Sequence, residues 1–182
     1  MQRPTDTLRG DHAITSRGIE VLRAIATHVR GGGEFPTEDA ATLLRFLREF
    51  LLAVHLRKES EVLCPAVAMG GDERAAALVG DLVRMHEEVG ELLHTLVLFW
   101  EPVGELTTDE QQGFADTATT FASLVARMQG IEEERLFPAC DATVPADDQL
   151  SWNEQFAQFD RDPAAIAAWR ARLDVLAARW LA

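Results

Sequence analysis

A twelve-residue unit occurs twice in this chain, and its second copy departs from the first at the leading position. His55-Leu-Arg-Lys-Glu59-Ser-Glu61-Val-Leu63-Cys-Pro65-Ala66 aligns without gaps on Met128-Gln-Gly-Ile-Glu132-Glu-Glu134-Arg-Leu136-Phe-Pro138-Ala139. Glu59, Glu61, Leu63, Pro65 and Ala66 recur as Glu132, Glu134, Leu136, Pro138 and Ala139. A lone histidine precedes each copy at a near-constant distance, His12 by 43 residues before His55 and His86 by 42 before Met128. The fold must therefore give two similar segments similar surroundings, with Met128 where symmetry asks for histidine.

Both copies lie in helical patterns, and no alternating pattern long enough for a strand is present. The first predicted helix runs from about Asp6 to Arg30 and stops at Gly31-Gly32-Gly33. The second starts after Pro36, with Thr37 as N-cap and Glu38 and Asp39 in the first turn, and ends before Pro65. The third starts at Asp72 and ends before Pro102. The fourth opens on a capping-box spacing, Thr108 with Gln111, and ends at Pro138. Connections of roughly 6 to 10 residues make neighbouring helices antiparallel. The expectation is an all-α, up-down-up-down four-helix bundle over residues 1–140. A polar loop, Asp141 to Asp148, then leads to a helical appendage within 141–182. There Asp162 caps a helix with Pro163 at its first position. Ile166, Trp169, Leu173, Leu176 and Trp180 form a stripe that buries against the bundle or, in a homodimer, against a second copy.

A net charge of −13 in 182 residues argues against nucleic acid and anionic membranes as partners. No apolar run reaches the about 18 residues of a membrane span, and the N-terminal segment has no apolar signal core, so a cytoplasmic protein is expected. Cys64 and Cys140 do not form a disulfide framework and read as reduced packing residues at matching places in the two copies. The absence of tyrosine excludes a tyrosyl radical.

The polar residues of the repeat face inward. His12 shares a face with Ile19, Leu22 and Ala26. His55 and Glu59 continue the stripe of Leu44, Leu47 and Leu51. His86 follows Leu78, Val79, Leu82 and Val83, and Met128 and Glu132 follow Phe114, Phe121, Leu124 and Val125. His12 and His86 lie near helix starts, whereas His55, Glu59 and Glu132 lie near helix ends. In an up-down arrangement they meet at one depth. Two carboxylates buried together are costly without a counter-charge, and a metal ion removes that cost. Mixed imidazole and carboxylate ligation favours iron, with manganese or zinc as further candidates. Ser16 and Gly90, one turn beyond His12 and His86, are small and leave space. Glu20 and His94 lie eight residues beyond His12 and His86, about 12 Å deeper at 1.5 Å per residue, and read as flank positions touching solvent, with a hydrogen-bonded second polar level as the alternative. His28 reads as a surface residue in the last turn of the first helix.

These residues resemble the hemerythrin-like family of HHE cation-binding domains. Carrying the resemblance are Asp11-His12, His55-x3-Glu59 with Val62-Leu63-Cys64-Pro65, Met85-His86-Glu87-Glu88, and Glu132-Glu133-Glu134-Arg135-Leu136-Phe137-Pro138. It implies a four-helix bundle around a non-heme diiron centre, with His12, His55, Glu59, His86 and Glu132 as ligands and both glutamates bridging. Met128 departs from the family's pattern, since a thioether is a poor ligand for ferric iron. His86 would then share its iron with fewer protein nitrogens, and water, Gln129, Glu133 or Glu91 would complete the shell. The implied function is binding or sensing of O2, NO, peroxide or iron. The alternatives are an oxidase- or peroxidase-type enzyme using an open position near Met128, and a metal-free structural or regulatory module.

Overall fold

The computed structural model describes residues 3–99, 105–160 and 162–182. Among them the chain forms six helices and no strand. The first, Pro4–Arg30, carries proline in its opening turn, where its missing N–H is not needed, and ends at Gly31. Gly32 follows with a φ of 82°, a left-handed conformation that glycine adopts without steric cost. The third helix, Glu73–Val97, is capped by the Asp72 carboxylate, which accepts from the N–H groups of Arg74 and Ala75 at 3.0 Å each. The fifth and sixth helices are Ala146–Phe159 and Pro163–Trp180. Asp162 caps the last of these through the N–H of Ala165.

The second helix spans residues 37–70 and the fourth 108–143, and both pass through their prolines. Each proline directly follows a wide, π-type turn, whose hydrogen bonds reach one residue further than in an α-helix. Glu59–Leu63 precedes Cys64-Pro65, and Glu132–Leu136 precedes Phe137-Pro138. Proline breaks a helix by withholding an N–H and crowding the carbonyl four residues back. Where the ladder has already widened, that carbonyl has another partner and the chain continues. The helix ends expected at Pro65 and Pro138 are thus corrected to Gly70 and Thr143.

Thr37 is the first helical residue and Pro36 stands at the cap, without a side-chain bond. The capping box of the fourth helix is one residue earlier than expected, between Thr107 and Glu110. The polar loop at 141–148 shrinks to a break between Thr143 and Ala146. The expected end of the third helix at Pro102 lies outside the described residues.

The four long helices contact one another in a ring. The first touches the second and fourth, and the third also touches the second and fourth. Phenylalanines fill the interior, with Phe46, Phe50, Phe114 and Phe121 all at most 1% exposed. The fifth and sixth helices pack on the first and second. Trp169 and Leu173 of the apolar stripe are buried there, and the Trp169 ring meets Phe46 edge-on at 6.0 Å. At the far end Arg179 and the Trp180 indole both donate to Asp39 of the second helix. Among the described residues no helix is long and apolar enough to cross a membrane.

Candidate metal centre

The repeated unit places its polar residues in the wide turns themselves. His55 closes the wide segment Leu47–His55, and Glu59 and Glu132 open Glu59–Leu63 and Glu132–Leu136. A wide turn inserts a residue into the helical register and re-aims the side chains it carries, and such turns concentrate at functional sites. His12 and His86 come from regular helix.

All five predicted residues converge, buried, in the interior. Four of them, His12, His55, Glu59 and Glu132, offer ligand atoms that lie within 4.8 Å of one another. His12 Nε2 is 3.2 Å from Glu132 Oε2 and 3.9 Å from Glu59 Oε1, and His55 Nε2 is 3.6 Å from Glu59 Oε1. His86 joins from the opposite side. Its Nε2 lies 3.4 Å from Glu59 Oε2 and 3.2 Å from Glu132 Oε1. Each carboxylate therefore turns one oxygen toward the His12–His55 pair and the other toward His86. The first side collects two imidazoles and two carboxylate oxygens, the second one imidazole and two oxygens. Met128, wholly buried, occupies the fourth helix one turn before Glu132 and adds no nitrogen.

This set fits a metal ion. Both oxygens of Glu59, Glu132 Oε2, His12 Nε2 and both nitrogens of His55 are buried without a hydrogen-bond partner. Buried polar groups are nearly always paired, because desolvation is otherwise uncompensated. All but His55 Nδ1, which points outward to Asp11, face one another, and a cation between them would satisfy them together.

The outward nitrogens of His12 and His86 have hydrogen-bond partners, and that of His55 faces a carboxylate. His12 Nδ1 is 2.8 Å from Glu133 Oε1, and His86 Nδ1 is 3.0 Å from Ser60 Oγ. Asp11 Oδ2 stands 3.6 Å from His55 Nδ1 and accepts from Lys58 Nζ at 2.9 Å. The His12 ring also stacks on Phe137 at 5.2 Å and meets His55 edge-on at 4.9 Å. These contacts fix ring orientation, as groups behind metal-ligating imidazoles do.

Electrostatics follow from the crowding. Burial disfavours charge on Glu132, but the close imidazoles of His12 and His86 outweigh it and hold the carboxyl down to about 2. Burial likewise opposes protonation of His86, yet the Glu132 and Glu59 carboxylates push it up to about 9. For Asp11 burial is again the largest influence and is again outweighed, here by His55 and Lys58, so its pKa is lowered. Cys64 and Cys140 are free, buried thiols, and desolvation raises both, Cys140 to about 12.

Several expected residues do not join the cluster. Glu20 and His94 are exposed, so they form no second buried level; their positions fall on the solvent flank of their helices. Glu91 is also exposed. Gln129 accepts from Ser16 and Glu133 supports His12, which commits both to the first helix. An added Cβ at Gly90 would meet nothing within 4 Å, but Gly90 is half-exposed and Ser16 is exposed, so the open space there lies toward the surface. His28 is exposed and bonds the Glu34 carbonyl. Sequence reasoning assigned no role to Asp11, Lys58 or Ser60. Lys58 carried a signal, since it lies three residues after His55 and so shares the inward face.

A family model described as hemerythrin HHE cation binding domain matches residues 3–140. No curated protein and no solved structure matches the chain.

Proposed function

Because the chain belongs to the hemerythrin HHE cation-binding family, we propose that its His/Glu cluster holds non-heme iron, two ions in a bridged pair, and that the protein binds or senses a small molecule there: O2, NO or peroxide. The ring of four long helices is read as the antiparallel bundle of that family, since His12 in the first helix and His86, midway along the third rather than near its start, meet the later stretches of the second and fourth that bear His55, Glu59 and Glu132. The observation that carries the proposal is the division of each carboxylate, with Glu59 and Glu132 each turning one oxygen to the His12–His55 pair and one to His86. Glu59 and Glu132 would hold both ions; His12 and His55 would complete one position and His86 the other. When bound, a ferrous pair supplies two electrons to O2 or peroxide and exchangeable sites for small anions. The protein contributes an apolar enclosure, imidazoles oriented by Glu133, Asp11 and Ser60, and a thioether at Met128 that leaves the His86 side one donor short.

That shortage favours a second reading, an oxidase- or peroxidase-type enzyme. Catalysis needs a coordination position that the protein does not fill, and the His86 side, with one imidazole and two carboxylate oxygens, offers it. Both readings are tested on purified protein by metal content per chain and by visible absorption before and after azide and hydrogen peroxide. Iron with an azide-dependent charge-transfer band supports the binding reading, and sustained peroxide turnover the enzymatic one. Protein that takes up no iron under reducing conditions refutes both.

A further inference from the structure

Among the described residues Lys58 is the one fully buried cation. Its Nζ lies 2.9 Å from Asp11 Oδ2 and 2.8 Å from Asp160 Oδ1, the latter an ion pair without hydrogen-bond alignment. Asp11 Oδ2 also faces His55 Nδ1 at 3.6 Å. Asp160 stands at the C-terminal cap of the fifth helix, beyond the stretch that the family model covers. Phe156, one turn earlier, places its ring 5.9 Å from Nζ and is 2% exposed, so it seals the ammonium from water. A path of charge contacts thus runs from the fifth helix through Lys58 and Asp11 to the outward nitrogen of a cluster imidazole.

The three imidazoles are not supported alike. Glu133 and Ser60 meet His12 and His86 within hydrogen-bond distance. His55 has only Asp11, which is shared with Lys58. If Lys58 loses Asp160, Asp11 becomes its sole counter-ion, and the shared carboxylate is drawn toward the ammonium and away from the ring. We propose that the Asp160–Lys58–Asp11 triad is a positioning brace for His55, through which docking of the fifth helix and metal uptake are coupled. The proposal rests on the metal reading of the cluster. Its logic runs in both directions. A cation on the inner nitrogen of His55 makes the outer N–H a stronger donor to Asp11 and so tightens the triad. By linkage, whatever strengthens metal binding through the triad also strengthens docking of the fifth helix.

Cobalt(II) titration of the full-length protein tests this with two variants. Asp160→Asn removes the outer charge of the triad. Asp39→Asn weakens the Arg179 and Trp180 contacts and so loosens the appendage at its other end, far along the chain from the triad. Cobalt affinity should fall about tenfold in Asp160→Asn, the lower end of the range for groups behind a ligand. In Asp39→Asn it should stay within about twofold of wild type while thermal stability drops. Hydrogen exchange of the 146–159 amides should slow on cobalt binding in wild type and not in Asp160→Asn. Equal cobalt affinity in wild type and Asp160→Asn overturns the brace, as does an equal loss in both variants, which would mean docking alone. Wild-type protein that takes up no cobalt overturns the metal reading and the brace together, whereas normal uptake with an insensitive Asp160→Asn overturns the brace only.

Discussion

Replacing Met128 with histidine would give the second repeat the residue that the first has at position 55. The His12–His55 side presents two nitrogens and two carboxylate oxygens, and the His86 side one nitrogen and two oxygens. Groups merely behind a ligand change metal affinity by about 10- to 100-fold. A restored direct donor should do at least as much, so the second metal should bind at least about tenfold tighter, or about 1.4 kcal/mol. The cost falls on the metal-free protein. Met128 is fully buried, and an imidazole there leaves polar atoms unpaired, at about 1–3 kcal/mol. In a chain of this size each kcal/mol shifts Tm by roughly 2–4 °C. Metal-free Met128→His should thus melt roughly 2–12 °C below metal-free wild type, and loading should recover the loss. Iron titration followed by absorption, chelator-release kinetics and melting with and without metal read all three effects. Azide should gain access more slowly in the variant. If wild type already holds two ions equally tightly and the variant changes neither affinity nor azide access, another group completes the shell and the unequal-site reasoning is wrong.

Glu59→Ala should weaken metal binding at both positions by at least about tenfold, since one carboxylate faces both sides; unchanged metal stoichiometry and affinity would remove Glu59 from the ligand set. Metal uptake should strengthen with rising pH. In the metal-free protein His86 is held protonated up to about 9, so binding must displace a proton, and affinity should rise by up to about tenfold per pH unit before flattening near that value. A pH-independent affinity between 6.5 and 8.5 would contradict this. Gly18→Ala should destabilise by about 1–3 kcal/mol in urea denaturation, because the added Cβ would lie 2.7 Å from a Phe46 ring carbon. Phe46 is stacked on Phe50 and wedged against Trp169, so it has little freedom to yield, and an unchanged denaturation midpoint would show that it does.

Much of this was legible before any coordinate. The Asp72 and Asp162 caps and the Gly31 stop are local chemistry, written in adjacent residues. The five cluster residues could be read because helical spacing and the repeat place them on apolar faces at matching depths. What escaped was non-local or depended on irregular backbone. Pro65 and Pro138 looked like helix ends because nothing in a single sequence announces that a turn will widen just before them. Asp160 could not be matched to Lys58 from separations of about a hundred residues. Glu20 and His94 stand on the flank, as read, and not in a second polar level. Eight residues is a little over two turns, and the residual rotation carries both side chains from the core face to the solvent flank.

The wide turns also hold a spare residue each. Deleting one position within 60–63 or 133–136 would close the turn to ordinary α geometry and keep the residues beyond it near their present register, but it would set Pro65 or Pro138 against a carbonyl and kink the helix there. A deletion in a regular stretch such as 114–125 would instead rotate the remainder of the helix by about 100° and turn its apolar face to water. The wide turns therefore serve two ends at once, aiming the cluster residues and carrying the helix past its proline, so a deletion there would cost both.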